Sequence, residues 1–205
     1  AQQPDETLGR VIDRWKIREC IKRLVDGQFS KEETPGFLVH LGAGSCSDAN
    51  LVRWISDLIK HQKGSRKFPE ICLGVSAGVF MAKVKPVSSL LDHLRTQHGF
   101  RFALYELEDP AMCHMCFKKF KFDLVVFSSA VYDQMVSGKK GEIDVEKLVS
   151  TVREVNALSV VGGVKSSNEL HAVISADVDF VHGDFIGPEQ EEIEAAVAIE
   201  AVALE

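Results

Sequence analysis

The chain has 205 residues, 45% apolar and 26% charged, with a formal net charge of -6. That length carries one sizeable core, and the composition is ordinary for a soluble globular domain. Nothing in the acidic balance or the short basic spots suggests a nucleic-acid groove, no run of about 18 apolar residues exists to span a membrane, and five cysteines without regular spacing argue against a disulfide scaffold.

In chain order, residues 1–10 are expected to be an N-terminal tail. Ile17, Cys20, Ile21, Leu24 and Val25 recur at three and four, which predicts a helix over 11–25. Residues 28–36 form a polar link ending in Pro35-Gly36, a turn signal. Phe37 to Leu41 is a short apolar strand. Asp48 or Asn50 caps a following helix striped by Leu51, Ile55, Leu58 and Ile59. A basic loop around Gly64 leads to the strand Ile71 to Val75. Pro86 opens a helix carrying Val87, Leu90, Leu91 and Leu94, and Gly99 fits its C-cap.

Phe102 to Tyr105 is the next strand. Residues 108–120 read as a loop with a short helix, and Leu124 to Phe127 is the most strand-like run. A helical turn over 129–137 is ended by Gly138. Val145, Leu148, Val149, Val152 and Val155 stripe a helix, and the strand Leu158 to Val161 closes on Gly162-Gly163. A short helix Glu169 to Ala176, a last strand Val178 to His182 and a Glu/Ala-rich helix over 189–204 complete the pattern. Leu204-Glu205 reads as a cloning scar, so one domain is expected over 11–203 of a parent protein that is itself open to being membrane-bound.

Helix and strand alternate six times, and several strands are continuous apolar runs, the mark of parallel strands buried on both faces. Two architectures fit: a doubly wound sheet, or a β/α-barrel two strands short of eight. The start of the pattern inside a helix favours a TIM-like barrel lacking its first two strands.

The run Ile12-Asp13-Arg14-Trp15 resembles the helix opening I-D-R-W of the bacterial EAL domain, the barrel that in active members hydrolyses cyclic diguanylate with divalent metals. The likeness continues through FALYEL at 102–107, where that family has L-A-I-D-D-F, and VVGGVK at 160–165, where it has V-A-E-G-V-E. It ends in VHGDFIGP at 181–188, against Q-G-Y-L-F-G-R-P. The E-A-L strand, which supplies one metal-binding carboxylate, and the strand before it have no counterpart in the chain. The resemblance places His40 at the family's strand Asn, and Gly74 and Ala77 at the two Glu of E-I-T-E. Tyr105 and Glu106 fall at the two Asp of D-D-F-G, and Val126 and Ser128 at the Lys and Asp of L-K-I-D. Gly162 and Lys165 fall at the Glu residues of A-E-G-V-E, and His182 at the last Gln.

Elementary chemistry gives the same expectation. Barrel catalysts stand at strand C-terminal ends, and two-metal phosphodiester hydrolysis needs clustered carboxylates holding ions about 4 Å apart. A vestigial pocket of His40, Gly74, Tyr105, Glu106, Val126, Gly162 and His182 offers one acid, so no catalysis, no metal and no cofactor are expected. The pattern is similar to divergent EAL domains of FimX-type regulators of type IV pili and twitching motility. The expected role is a cytoplasmic, non-catalytic regulatory or protein-interaction domain. The competing reading is a receptor that binds cyclic diguanylate without hydrolysis through Arg14, His40, Glu106, His182 and Asp184.

Other features have plain readings. Cys113-His114-Met115-Cys116 is a single pair where structural zinc needs four ligands, so packing is expected. His40, Glu106 and His182 form a possible two-histidine, one-carboxylate set, against which stands ordinary hydrogen bonding in the mouth. Gly162-Gly163 admits a phosphate or simply ends a strand. Ser45 and Ser76 have no base at readable spacing. Trp15 is expected to pack at the truncated end, and the missing strands call for cover by a protein partner, a second copy or the 189–204 helix, with no nucleic acid and no direct membrane contact.

Overall fold

The computed structural model describes residues 6–27, 36–62, 66–138 and 141–187. The link at 28–35, the loop around Gly64 and the helix expected over 189–204 lie outside the described residues. The elements run α1 (Glu6–Asp26), β1 (Phe37–His40), α2 (Ala43–Cys46), α3 (Leu51–His61), β2 (Ile71–Ser76), α4 (Ala77–Ala82), α5 (Val84–His98), β3 (Arg101–Leu107) and α6 (Pro110–Phe117). They continue with β4 (Leu124–Phe127), α7 (Ser129–Ser137), α8 (Val145–Glu154), β5 (Leu158–Gly162), α9 (Ser167–Ser175) and β6 (Phe180–His182).

The sheet order is β1-β2-β3-β4-β5-β6, and every neighbouring pair is parallel. A doubly wound sheet reverses its strand order part-way across. This sheet does not, so the fold is an open, incomplete TIM-like β/α half-barrel flanked by helices.

Alternation along each strand divides the sheet into two unlike faces. Val39, Leu73, Val75, Phe102, Leu104, Val125, Phe127 and Val161 join Ile17, Ile21, Ile55, Leu91, Leu148 and Val173 of the helices in one large core. The opposite, concave face holds only a small cluster of Cys72, Ala103, Val126 and Val160, with Tyr105 and Leu124 against it. Burial on both faces is complete only for β2. Leu38, Leu158 and Phe180, on the concave face, remain exposed. The expectation of double burial therefore fails toward the edges, because an unclosed barrel sets no opposite wall against those positions.

Local chemistry sets the helix ends. Ser76, Ser128 and Ser166 cap α4, α7 and α9 by accepting from Val79, Val131 and Glu169 N–H, and Asp109 caps α6 through Ala111 and Met112. Gly99 and Gly138 take the left-handed conformation that ends α5 and α7. Asn50 occupies the cap position of α3 but its side chain makes no cap bond, and Asp48 accepts from Asn50 N–H at 2.9 Å instead. Helix α1 begins at Glu6, so Glu6 to Arg10 are helical where a tail was expected. The face of α1 opposite the core carries Leu8, Val11, Ile12 and Trp15, an exposed apolar stripe. Trp15 is 59% exposed and stands beside β1 at the open end of the sheet. Among the described residues no helix is long and apolar enough to cross a membrane.

The five cysteines are free and buried. Burial pushes the Cys113 and Cys116 thiols to about 12 and about 11, and both lie in the core on one side of α6. Phe120 and Phe122 alternate with the exposed Lys119 and Lys121 and stack edge-on with Phe80, Phe102 and Phe117. Arg95 closes that cluster, lying 4.7 Å over Phe120 while binding Asp123 at 2.6 Å.

Candidate functional site: the mouth of the half-barrel

The C-terminal halves of the strands bring His40, Gly74, Tyr105, Gly162 and His182 to one end of the concave face, together with the buried Val126 of β4, which is in register with Tyr105. Their side chains meet in two groups. The Tyr105 ring lies 4.7 Å from the His40 ring and leans over Gly74, whose three nearest atoms for an added methyl all belong to that ring. In the same way the His182 imidazole lies over Gly162, its registered partner, so that a methyl there would overlap Nε2 and Cε1. Each glycine therefore admits an aromatic ring from the next strand into space a larger side chain would fill. Burial pushes the Tyr105 hydroxyl up to about 12, so the phenol is neutral at physiological pH.

Glu106 is set apart from these pairs. It stands at a register shift between Tyr105 and Leu107 and has φ 58°, a left-handed conformation in a non-glycine residue. The bulge lets Leu107 regain the core while Glu106 faces solvent. Among the described residues no three His, Cys, Asp or Glu side chains are grouped to hold a metal ion, so His40, Glu106 and His182 do not converge as one donor set. At the Gly162-Gly163 turn the Gly163 and Val164 N–H both donate to the His182 carbonyl, so these two amides are not free for a phosphate. Asp184 is exposed beyond β6.

Arg14 is engaged elsewhere. Its guanidinium binds the buried Asp48 at 2.7 Å and lies 5.3 Å over Trp54. Beside it the buried Asp13 accepts from Gly42 N–H at 2.8 Å and from the Ser45 hydroxyl at 2.7 Å. Asp13 and Arg14 thus clamp the β1–α2 turn onto α1. The clamp went unread in the sequence, although an adjacent acid and base on α1 and the Ser45/Asp48 pair are its signal.

The sequence pattern of the EAL domain matches residues 3–189. The chain belongs to the EAL domain family. Three solved EAL structures share its fold. A FimX EAL domain is 20% identical, with a TM-score of 0.71 over 85% of this chain and 68% of that one. The FimX EAL domain of Pseudomonas aeruginosa bound to c-di-GMP is 18% identical, with a TM-score of 0.74 over 90% of this chain and 72% of that one. The Xanthomonas citri FimX EAL domain in complex with c-di-GMP is 17% identical, with a TM-score of 0.78 over 93% of this chain and 74% of that one. No curated protein matches the chain. Within the EAL frame, His40, Tyr105, Gly162 and His182 stand at the end of the sheet where barrel enzymes build their sites.

Proposed function

We propose that this EAL domain is a non-catalytic regulatory and protein-interaction module of cyclic diguanylate-related signalling, in the setting of pilus and twitching-motility regulators that its FimX-like pattern suggests. The observation that carries the reading is the mouth itself: the Tyr105 and His182 rings fill the space over Gly74 and Gly162. Paired divalent ions need several carboxylates within reach of one another. Glu106 is the one acid on these strand ends and sits on a solvent-facing bulge. The donor set does not fit a two-metal hydrolytic centre.

A second reading has its own support, since two of the similar FimX domains are complexes with c-di-GMP. A receptor needs donors for two phosphates and partners for two guanines. Among the described residues no arginine ends a strand, and Arg14 is held by Asp48. These features favour the interaction role.

Two measurements test the proposal. Incubation with cyclic diguanylate and excess Mg²⁺ or Mn²⁺ is expected to give no hydrolysis product, and product that scales with protein and is lost in Glu106→Gln refutes the non-catalytic reading. Calorimetric titration with cyclic diguanylate at low salt is expected to give no heat. A dissociation constant at or below about 10 μM, worth roughly -7 kcal/mol, moves the assignment to a receptor.

A further inference from the structure

Among the described residues β1 pairs with β2 alone, so the sheet ends there in an open edge, and α1 lies beside it. Phe37 and Leu41 N–H donate to Glu70 and Gly74 carbonyls on the β2 side. In a parallel ladder a residue turns its N–H and C=O to the same neighbour, and alternate residues turn to opposite neighbours. The N–H and C=O groups of Leu38 and His40 therefore face outward from the sheet. Natural edges are usually blunted by lysine, proline or a bulge. The sequence of β1 is Phe-Leu-Val-His, with none of these.

Beside this edge lies a groove of about 330 Å³ between α1 and β1, with Trp15, Cys20 and Leu38 among its apolar walls. Along the α1 wall, Lys16, Cys20 and Arg23 follow one another, an apolar step between two cations, with Glu19 beside them. Lys16 lies 3.7 Å from Asp13, and no hydrogen bond or ion pair of the Arg23 guanidinium is seen among the described residues. Lys16 and Arg23 are seven residues apart, about 10 Å along a helix at about 1.5 Å per residue. Five residues of extended chain span about 13 Å between first and last, at about 3.3 Å per residue. Both ends then carry side chains to the same face, within reach of the two cations.

We propose that the β1 edge is a docking site for an extended peptide of a partner protein, added as a seventh, parallel strand beneath α1. It takes an apolar residue against Cys20 and carboxylates two positions to either side, facing Lys16 and Arg23. The inference rests on the protein-interaction reading above and gives that role its surface. A second copy of the chain is a poor occupant of the same edge. It would bring its own α1 into the space that α1 already occupies over the seam, whereas a lone strand fits beneath it.

The test uses acetyl-Glu-Val-Ile-Val-Glu-amide as probe and residue-resolved amide exchange by NMR as readout. Millimolar peptide is expected to slow exchange at Leu38 and His40 by about tenfold or more, with little change at Val39 and Leu41, whose amides already face β2. A peptide with Lys in place of Ile is expected to give no effect, and Arg23→Glu is expected to weaken protection. Leu38→Pro removes an outward donor without touching the β2 ladder and is expected to abolish it; Arg23→Glu serves if that variant does not fold. Three results overturn the proposal: unchanged exchange at Leu38 and His40 up to the peptide's solubility limit, protection of both amides in the domain alone, and protection that rises with domain concentration without peptide, which assigns the edge to self-association. Hydrolysis and cyclic diguanylate titration read the mouth and are independent of these outcomes.

Discussion

Replacing Gly74 by alanine tests the ring-over-glycine arrangement at the mouth. The added methyl overlaps Tyr105 Cε2 and Cδ2 and comes within 3.2 Å of Cζ. Those are mid-ring atoms of a half-buried side chain stacked on His40, so the ring must rotate out as a unit. Forcing a side chain from a packed position costs about 1–3 kcal/mol, and the lost ring contact adds about 0.5–1.5 kcal/mol. A net destabilisation of about 2–3 kcal/mol is expected, a fall in Tm of roughly 4–12 °C for a chain of this size. In a Tyr105→Ala background the obstruction is gone, and Gly→Ala within a strand is worth about 0.5–1 kcal/mol in favour of alanine. The same substitution should then be neutral or stabilising, giving a coupling of about 3 kcal/mol in a double-mutant cycle. Urea unfolding of the four proteins measures it. Equal cost of Gly74→Ala in both backgrounds refutes the idea that Tyr105 is what requires glycine there.

Gly162→Ala should behave likewise toward His182, with the penalty relieved by His182→Ala in thermal melts. Asp13→Ala strands Gly42 N–H and the Ser45 hydroxyl, at a cost of about 2–3 kcal/mol, while Ser45→Ala should cost about 1 kcal/mol; denaturant midpoints separate the two. Burial pushes the Cys46, Cys72 and Cys113 thiols to about 12, so a thiol reagent near pH 8 should label the native protein at the rate of opening. For the same groups and Tyr105, the folded pKa lies above the unfolded one. Their contribution is complete below about 9 for the thiols and about 10 for the phenol. It is lost as pH rises toward about 12, so urea midpoints should fall progressively over that alkaline window.

Much of the chain was legible in the sequence because buried parallel strands are apolar runs and their covering helices carry a 3.6-residue stripe. Leu124–Phe127, the Val145–Val155 stripe and the Gly99 and Gly138 helix ends all declare themselves locally. The short helices α2 and α4 did not, since four and six residues complete no more than a turn or two of pattern. The first turn of α1 escaped because Leu8, Val11 and Ile12 lie on the face opposite its core stripe. The sequence by itself determined the six strands, the longer helices, their order and which positions at the strand ends carry glycine, aromatic or acid. Only the tertiary structure decided that strand order never reverses, that Tyr105 and His182 lie over the glycines of neighbouring strands, that Arg14 is bound to Asp48, and that the edges of the concave face stay open. Each depends on register between strands or on contacts between residues far apart in the chain, and no local pattern of side chains encodes which backbone comes to lie beside which.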